Sequence, residues 1–275
     1  MFVSTEGAMS KQNDRSLRFY HEVLGLEHLH YGLWAEADVL SVDKLKEAQQ
    51  RYENYLIENL PNGARRILDV GCGTSAMCAR MHKMGLEVEG MSPDITQKRI
   101  FAEKLNIPFH HCCFEDFSAE KKYDCIVMSE SAQYIPYERL FKNAAQCVGS
   151  NGYLMVCDYF VLNDASGTLA KSGHNLKKFM DSAARNRFKV IKQEDLTEKV
   201  TKTLDVMRLY VDKTVLAFDI VTEKFRTKHP HLTRILFFLF RKKRKAMEEQ
   251  MELLDSAKFK QNKRYMFLLF QLQGT

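Results

Sequence analysis

The stretch Leu68-Asp69-Val70-Gly71-Cys72-Gly73-Thr74-Ser75-Ala76 decides the fold. It reads as a buried strand at 66–70 that runs into a glycine turn and then a helix at 75–84, stopped by Gly85. Glycines let a ligand approach the backbone, and a helix start offers free N–H groups. Gly71, Gly73 and Ala76 also satisfy the dinucleotide pattern G-x-G-x-x-G/A, so the loop alone leaves two ligand classes open. Asp69 separates them. A carboxylate beside the loop repels a pyrophosphate but suits a ligand carrying an ammonium and a sulfonium, as S-adenosylmethionine does. A dinucleotide site also wants an acid about 20 residues beyond the glycines, whereas that region reads Gly90-Met91-Ser92-Pro93. S-adenosylmethionine is favoured, with an NAD-dependent oxidoreductase as the alternative.

Outward from this loop, strand and helix signals alternate. Strands are predicted at 87–91, 108–113, 123–129 and 153–160, the last after an Asn151-Gly152 turn; helices are predicted at 92–105 and 136–148. Strands separated by helices of this length require a parallel, doubly wound sheet with right-handed crossovers. A helix at 174–187, a strand at 188–192 and a closing strand at 264–273 follow. Between the last two strands, 197–256 reads as helical and basic with a break at Pro230. The fold class is therefore α/β, a mostly parallel seven-stranded sheet with a helical cap inserted before the last strand. The predicted divisions are an N-terminal helical lid segment at 1–60, an α/β core at 61–192, a cap at 193–260 and the final strand at 261–275.

The 275 residues are 45% hydrophobic and 28% charged, which describes a globular chain and excludes a disordered or fibrous one. The longest apolar run, 235–240, is far short of the roughly 20 residues needed to cross a bilayer. The N-terminus lacks a charged head followed by an apolar stretch, so a cytoplasmic address is expected. Seven cysteines form no C-x-x-C pair and no Cys/His ligand spacing, and no metal site is expected. Of the net charge of +6, residues from 189 onward contribute 19 Lys+Arg against 11 Asp+Glu, leaving 22 against 24 before them. The basic excess therefore belongs to the C-terminal third. There, 232–245 joins an aromatic, aliphatic face to five consecutive cations, which suits a lid over a lipophilic acceptor, contact with an anionic membrane, or a cap helix with a solvated basic face.

With these motifs in order, the sequence resembles a class I S-adenosylmethionine-dependent methyltransferase of the branch that holds cyclopropane fatty acid synthases, sterol C-methyltransferases and tocopherol methyltransferases. The resemblance covers roughly 13–160. Asp69-x-Gly71-x-Gly73 is its shared first motif. Gly90-Met91-Ser92-Pro93-Asp94-Ile95-Thr96-Gln97 is similar to the branch's Gly-x-Thr-x-Ser-x-x-Gln loop, which implies Ser92 and Gln97 as ribose contacts. Phe114-Glu115 falls at the branch's adenine-side aromatic-acid pair. Tyr20 and the segment His28-x-His30-Tyr31-Gly32-x-Trp34 resemble the part that covers the methionine end of the cofactor, and Glu130 matches an acid after the fourth strand.

Departures narrow the chemistry. Cyclopropane synthases carry a Glu-His pair and a further histidine where this chain has Gln133-Tyr134 and Cys157-Asp158, so cyclopropanation is not expected. The Pro-Pro-aromatic turn and the Pro-Cys loop of nucleic-acid base methyltransferases are absent. A small-molecule acceptor and no nucleic-acid partner are expected; the oligomeric state is open. Methyl transfer is an in-line displacement, and only the acceptor's proton calls for a side chain. Glu130 is the first candidate, either moving a proton or holding ligand, with His30, Tyr134 and Asp158 beside it. The departures also leave a non-catalytic protein on the same fold as a second alternative.

Overall fold

The structure, a computed structural model, describes residues 25–28, 30–231 and 251–274. The sheet is built on β1 (Arg66–Val70), whose Ile67, Leu68, Asp69 and Val70 are all buried, as a strand covered on both faces requires. In chain order there follow α2 (Ala76–Lys83), β2 (Glu87–Met91), α3 (Ile95–Lys104) and β3 (Phe109–His110); α1 (Val42–Glu58) precedes β1. Then come β4 (Tyr123–Ser129), α4 (Tyr137–Cys147), β5 (Val148–Val161), β6 (His174–Asn175), α5 (Leu176–Arg185) and β7 (Phe188–Asp195). Next come α6 (Thr197–Val200) and α7 (Lys202–Lys228), and α8 (Ser256–Asn262) leads into β8 (Lys263–Leu272).

The strands lie in the order β3-β2-β1-β4-β5-β8-β7, with β6 beside β5. All pairs from β3 to β5 are parallel, and β8 runs antiparallel between β5 and β7. The α/β class and the doubly wound order agree with the sequence reading, and the two-residue β6 makes the sheet eight-stranded. One apolar cluster, with Leu68, Phe141, Phe179 and Phe270, fills one face. Another, with Tyr52, Ile67, Phe101 and Phe267, fills the other.

Three local expectations change. The Asn151-Gly152 turn is absorbed within β5: Tyr123 pairs with Val148 but Cys125 pairs with Tyr153, and Asn151 takes the bulge in a left-handed conformation, φ 61°. His174 and Asn175, expected in a helix, pair with Phe160 and Val161; the helix starts after Asn175, whose side chain accepts from the Lys178 N–H at 3.0 Å. The third strand keeps only Phe109 and His110. Among the described residues, no helix is long and apolar enough to cross a membrane. Tyr20 and the 232–245 aromatic-basic stretch lie outside the described residues.

Candidate functional site

Parallel strands end together, so β1, β2, β4 and β5 deliver their C-terminal residues to one edge, where open α/β sheets hold ligands. At the tip of β1, Asp69 is 1% exposed. Its Oδ2 accepts from the Cys78 thiol at 3.0 Å, and its Oδ1 is buried with no partner. Burial pushes its carboxyl up to about 7. The turn that follows requires glycine at Gly71: φ is +76°, and a Cβ there would stand 2.4 Å from Ser131 Cβ. Gly73, φ +54°, faces open space within 4 Å. Ser131 Oγ donates to the Val70 carbonyl at 2.5 Å, tying the β4 exit to this turn.

The expected ribose residues are both engaged within the loops. Gln97 Oε1 accepts from the Gly73 N–H at 3.1 Å, and the Ser92 hydroxyl, 3% exposed, accepts from the Asp94 N–H at 3.1 Å. Asp94 in turn caps α3 through the N–H groups of Thr96 and Gln97. Phe114 is buried in the core cluster and Glu115 beside it is half-buried. Glu89, the acid on β2, is held by Arg66, by His110 at 2.6 Å and by the Tyr123 hydroxyl at 2.6 Å.

Glu130, just past β4, is the centre of a polar network. Its Oε1 accepts from the Tyr265 hydroxyl at 2.6 Å and from the Tyr31 N–H at 2.7 Å. The Tyr265 hydroxyl also lies 3.0 Å from that of Tyr52, which meets Ser129 Oγ at 2.9 Å. Glu130 holds φ at +55°, a conformation that non-glycine residues adopt at some energetic cost and that recurs at functional sites. Burial pushes its carboxyl up to about 8 against the pull of those two donors, with the charge of Asp158 adding to the rise.

Asp158, 1% exposed, accepts from the N–H groups of Gln133 at 3.0 Å and Tyr159 at 2.8 Å, and burial raises its carboxyl to about 7. Tyr134 is exposed. His30 does not aim at Glu130: its Nδ1 lies 2.7 Å from the Tyr31 carbonyl and its Nε2 3.6 Å from Glu53. Gly32 is a packing position, since a Cβ would fall 2.6 Å from Ala48 Cβ, and its N–H donates to Thr203 Oγ1 at 3.1 Å. The Trp34 indole donates to the same oxygen at 2.9 Å. The 30–34 segment is thus gripped between α1 and α7, and a cavity of about 180 Å³ lies there, lined by Leu26, His30, Tyr31, Gln49, Thr203 and Met207 among others.

Three residues escaped the sequence reading. Tyr52 lies among polar residues on α1 and Tyr265 opens the apolar run of β8, and only the need of a buried phenol for a partner hints at a role for either. Lys263, 2% exposed, stands with Nζ 3.9 Å from the centre of the Tyr159 ring and donates to the carbonyl and hydroxyl oxygens of Ser172, both at 3.0 Å. Burial lowers its ammonium to about 8.

A mainly parallel sheet with a buried acid and a glycine turn at the tip of β1 defines a doubly wound α/β domain. Residues 44–202, more than half of the chain, match the methyltransferase domain, and the chain belongs to that family. A ubiquinone biosynthesis O-methyltransferase of Bradyrhizobium diazoefficiens is 25% identical over 100 residues, which are 34% of this chain and 40% of that protein, so the match spans less than half of the relative. Two solved structures share the fold. Geranyl diphosphate C-methyltransferase from Streptomyces coelicolor superposes with a TM-score of 0.63 at 16% identity, covering 91% of this chain and 92% of that one. A cyclopropane synthase from Mycobacterium tuberculosis gives 0.65 at 13% identity, covering 89% and 90%.

Proposed function

We propose that this protein is an S-adenosylmethionine-dependent methyltransferase acting on a small, lipophilic acceptor. The observation that carries the reading is Asp69 Oδ1, a buried carboxylate oxygen with no partner beside the open Gly73 turn. Leaving such a group unpaired is costly, and a bound ammonium would satisfy it. Asp69 and Asp158, both buried, and the half-buried Glu130 bring three carboxyls to neighbouring strand tips. Their combined field favours a cation and opposes a pyrophosphate. The acid on β2 is already occupied by Arg66, His110 and Tyr123, which also weighs against NAD.

When bound, the cofactor supplies an electrophilic methyl group on a sulfonium. The chain's own residues do the rest. Asp69 and the Gly71–Gly73 turn would hold the amino-acid end. Ser92 and Gln97 would reach the ribose by trading their loop hydrogen bonds, and Glu115 would accept from the adenine amine, with Phe114 packing behind it. Tyr31, held over Glu130 by its N–H, would cover the reacting centre, joined by the cap helices as a lid that keeps water out. Glu130, with its carboxyl near neutral, is placed to take the proton of a hydroxyl or carbon acid. Asp158 orients the Gln133 turn beside it through the Gln133 N–H.

The lipophilic acceptor is supported by the Leu26 and Met207 lining of the cavity between the 30–34 segment and α7. One of the structural neighbours is a C-methyltransferase of geranyl diphosphate, an isoprenoid, which agrees with that lining. Calorimetry with S-adenosylhomocysteine, then labelled S-adenosylmethionine with pools of lipids, isoprenoids and phenols, tests the reading. Cofactor binding with one methylated product is expected. A folded protein that binds no S-adenosylhomocysteine below about millimolar, where the binding free energy is only about 4 kcal/mol, overturns it.

A further inference from the structure

Ligand spacing along the chain predicted no metal site, yet folding assembles a donor set that spacing hides. His28 and His30 alternate along the segment before α1, and Glu53, 4% exposed, stands on the buried face of α1. His28 Nδ1 lies 3.1 Å and His30 Nε2 3.6 Å from the same oxygen, Glu53 Oε1. The three donor atoms all fall within 4.8 Å of one another. Ligands held tetrahedrally at about 2.0–2.1 Å from zinc stand roughly 3.3 Å apart, so the two measured separations bracket the edge of such a site.

The tautomer of His30 is an independent observation. Its Nδ1 meets the Tyr31 carbonyl oxygen at 2.7 Å, and a carbonyl only accepts, so Nδ1 carries the proton. Nε2 of the neutral ring is then a lone pair; it is buried, has no hydrogen-bond partner and faces a carboxylate oxygen. Two acceptors so placed repel unless a cation stands between them. One nitrogen toward an ion and the other donating to a carbonyl is the arrangement that orients metal-binding histidines.

The surroundings hold the donors in place. The His30 ring stacks on Tyr52 with centroids 4.7 Å apart, and the Gln49 amide donates to the main-chain oxygens of His28 at 3.2 Å and His30 at 2.7 Å. Arg80 leaves the shared oxygen free, since its Nη1 donates to the other one, Glu53 Oε2, at 2.8 Å. Its side chain is 38% exposed, so solvent screens its charge from an ion in the cluster. Imidazole and carboxylate together suit zinc and its divalent neighbours.

We infer that His28, His30 and Glu53 bind one divalent cation of the zinc class, which clasps the segment carrying Tyr31 onto α1. Untagged, metal-stripped protein titrated with zinc(II) alone should take up one equivalent, and cobalt(II) should give the intense visible bands of a four-coordinate ion. His30→Gln and Glu53→Gln should each weaken uptake at least about tenfold, while His82→Gln, outside the cluster, should leave it unchanged. In the unmutated protein, zinc should shift the ring resonances of His28 and His30, which keeps the test decisive where a variant does not fold. Hydrogen exchange at 30–34 should slow on loading. No stoichiometric uptake, uptake unaffected by both variants, or a His30 ring protonated on both nitrogens at neutral pH with no metal bound would each overturn the inference. Neither cofactor nor acceptor enters these measurements, so their outcome is independent of the methyl-transfer reading.

Discussion

The Tyr265 hydroxyl donates to Glu130 Oε1 at 2.6 Å, joining the first turn of the last strand to the residue that follows the fourth. Because β8 lies antiparallel beside β5, its N-terminal end reaches the same edge as the C-terminal tips of the parallel strands. This hydrogen bond stabilises the carboxylate form of Glu130 against burial. Tyr265→Phe removes a donor to a charged group, worth about 1.5–3 kcal/mol, and should raise the Glu130 carboxyl by roughly one to two further units. The rising limb of the pH–rate profile should move to higher pH by that amount, while S-adenosylhomocysteine affinity changes little. A limb that stays in place would show that Glu130 does not carry the proton.

Asp69→Asn separates binding from folding. The substitution keeps the shape but removes the charge that meets the ammonium, and S-adenosylhomocysteine affinity should fall by about 100-fold, or roughly 2.7 kcal/mol. The apoprotein should be no less stable, because a buried oxygen without a partner is replaced by a neutral amide. Calorimetry and thermal melting on the same samples read both effects. Loss of stability with retained affinity would reverse the assignment.

The central half of the fold was legible because its strands are buried on both faces and its turns carry glycine. Strands at Arg66–Val70, Glu87–Met91 and Tyr123–Ser129 fall where the sequence pattern places them. The bulge in β5 was not legible: Asn-Gly signals a reversal, and only the partner strand decides whether the chain turns or kinks. Asp69 could be singled out because a carboxylate beside a glycine turn selects among ligands, and Glu130 because it matches an acid after the fourth strand of the resembled branch. Tyr52, Tyr265 and Lys263 could not, since their partners come from distant strands and turns. Nothing local in the sequence marks Glu53, and its meeting with His28 and His30 exists only after folding.

Stability of the apoprotein should decline with rising pH across the neutral range. Asp69 and Asp158 are raised to about 7 and Glu130 to about 8. A carboxyl raised on folding holds its proton more tightly in the native state, so its contribution is full below the ordinary carboxyl range and is lost as pH rises through the folded value. Glu53 works the other way. Burial raises it, but its polar partners, His28 and Arg80 among them, outweigh that and hold it well below its ordinary value, so its contribution is lost only in acid. Melting temperature should therefore fall between about pH 6 and pH 8.5, and the fall should shrink in Asp69→Asn. A flat profile over that range would show that folding does not raise the three carboxyls as described.

The last expectation concerns the grip on the 30–34 segment. One oxygen, Thr203 Oγ1 on α7, accepts from both the Gly32 N–H and the Trp34 indole. The Leu33 N–H reaches the Ala48 carbonyl on α1 at 2.8 Å, and the Trp34 N–H reaches the Lys199 carbonyl at 2.8 Å. Thr203→Val keeps the volume and leaves two buried donors without an acceptor, at a cost of about 1–3 kcal/mol each before the segment shifts to recover water. Because Tyr31 in the same segment donates to Glu130, loosening it should reach the reacting centre. Hydrogen exchange at 30–34 should quicken, and turnover should fall several-fold more than S-adenosylhomocysteine affinity does. Gly32→Ala, which sets a Cβ 2.6 Å from Ala48, should disturb the same segment by overpacking, at about 1–3 kcal/mol. If both variants exchange faster at 30–34 yet turn over as the unmutated protein does, the segment is packing alone and does not close over the site.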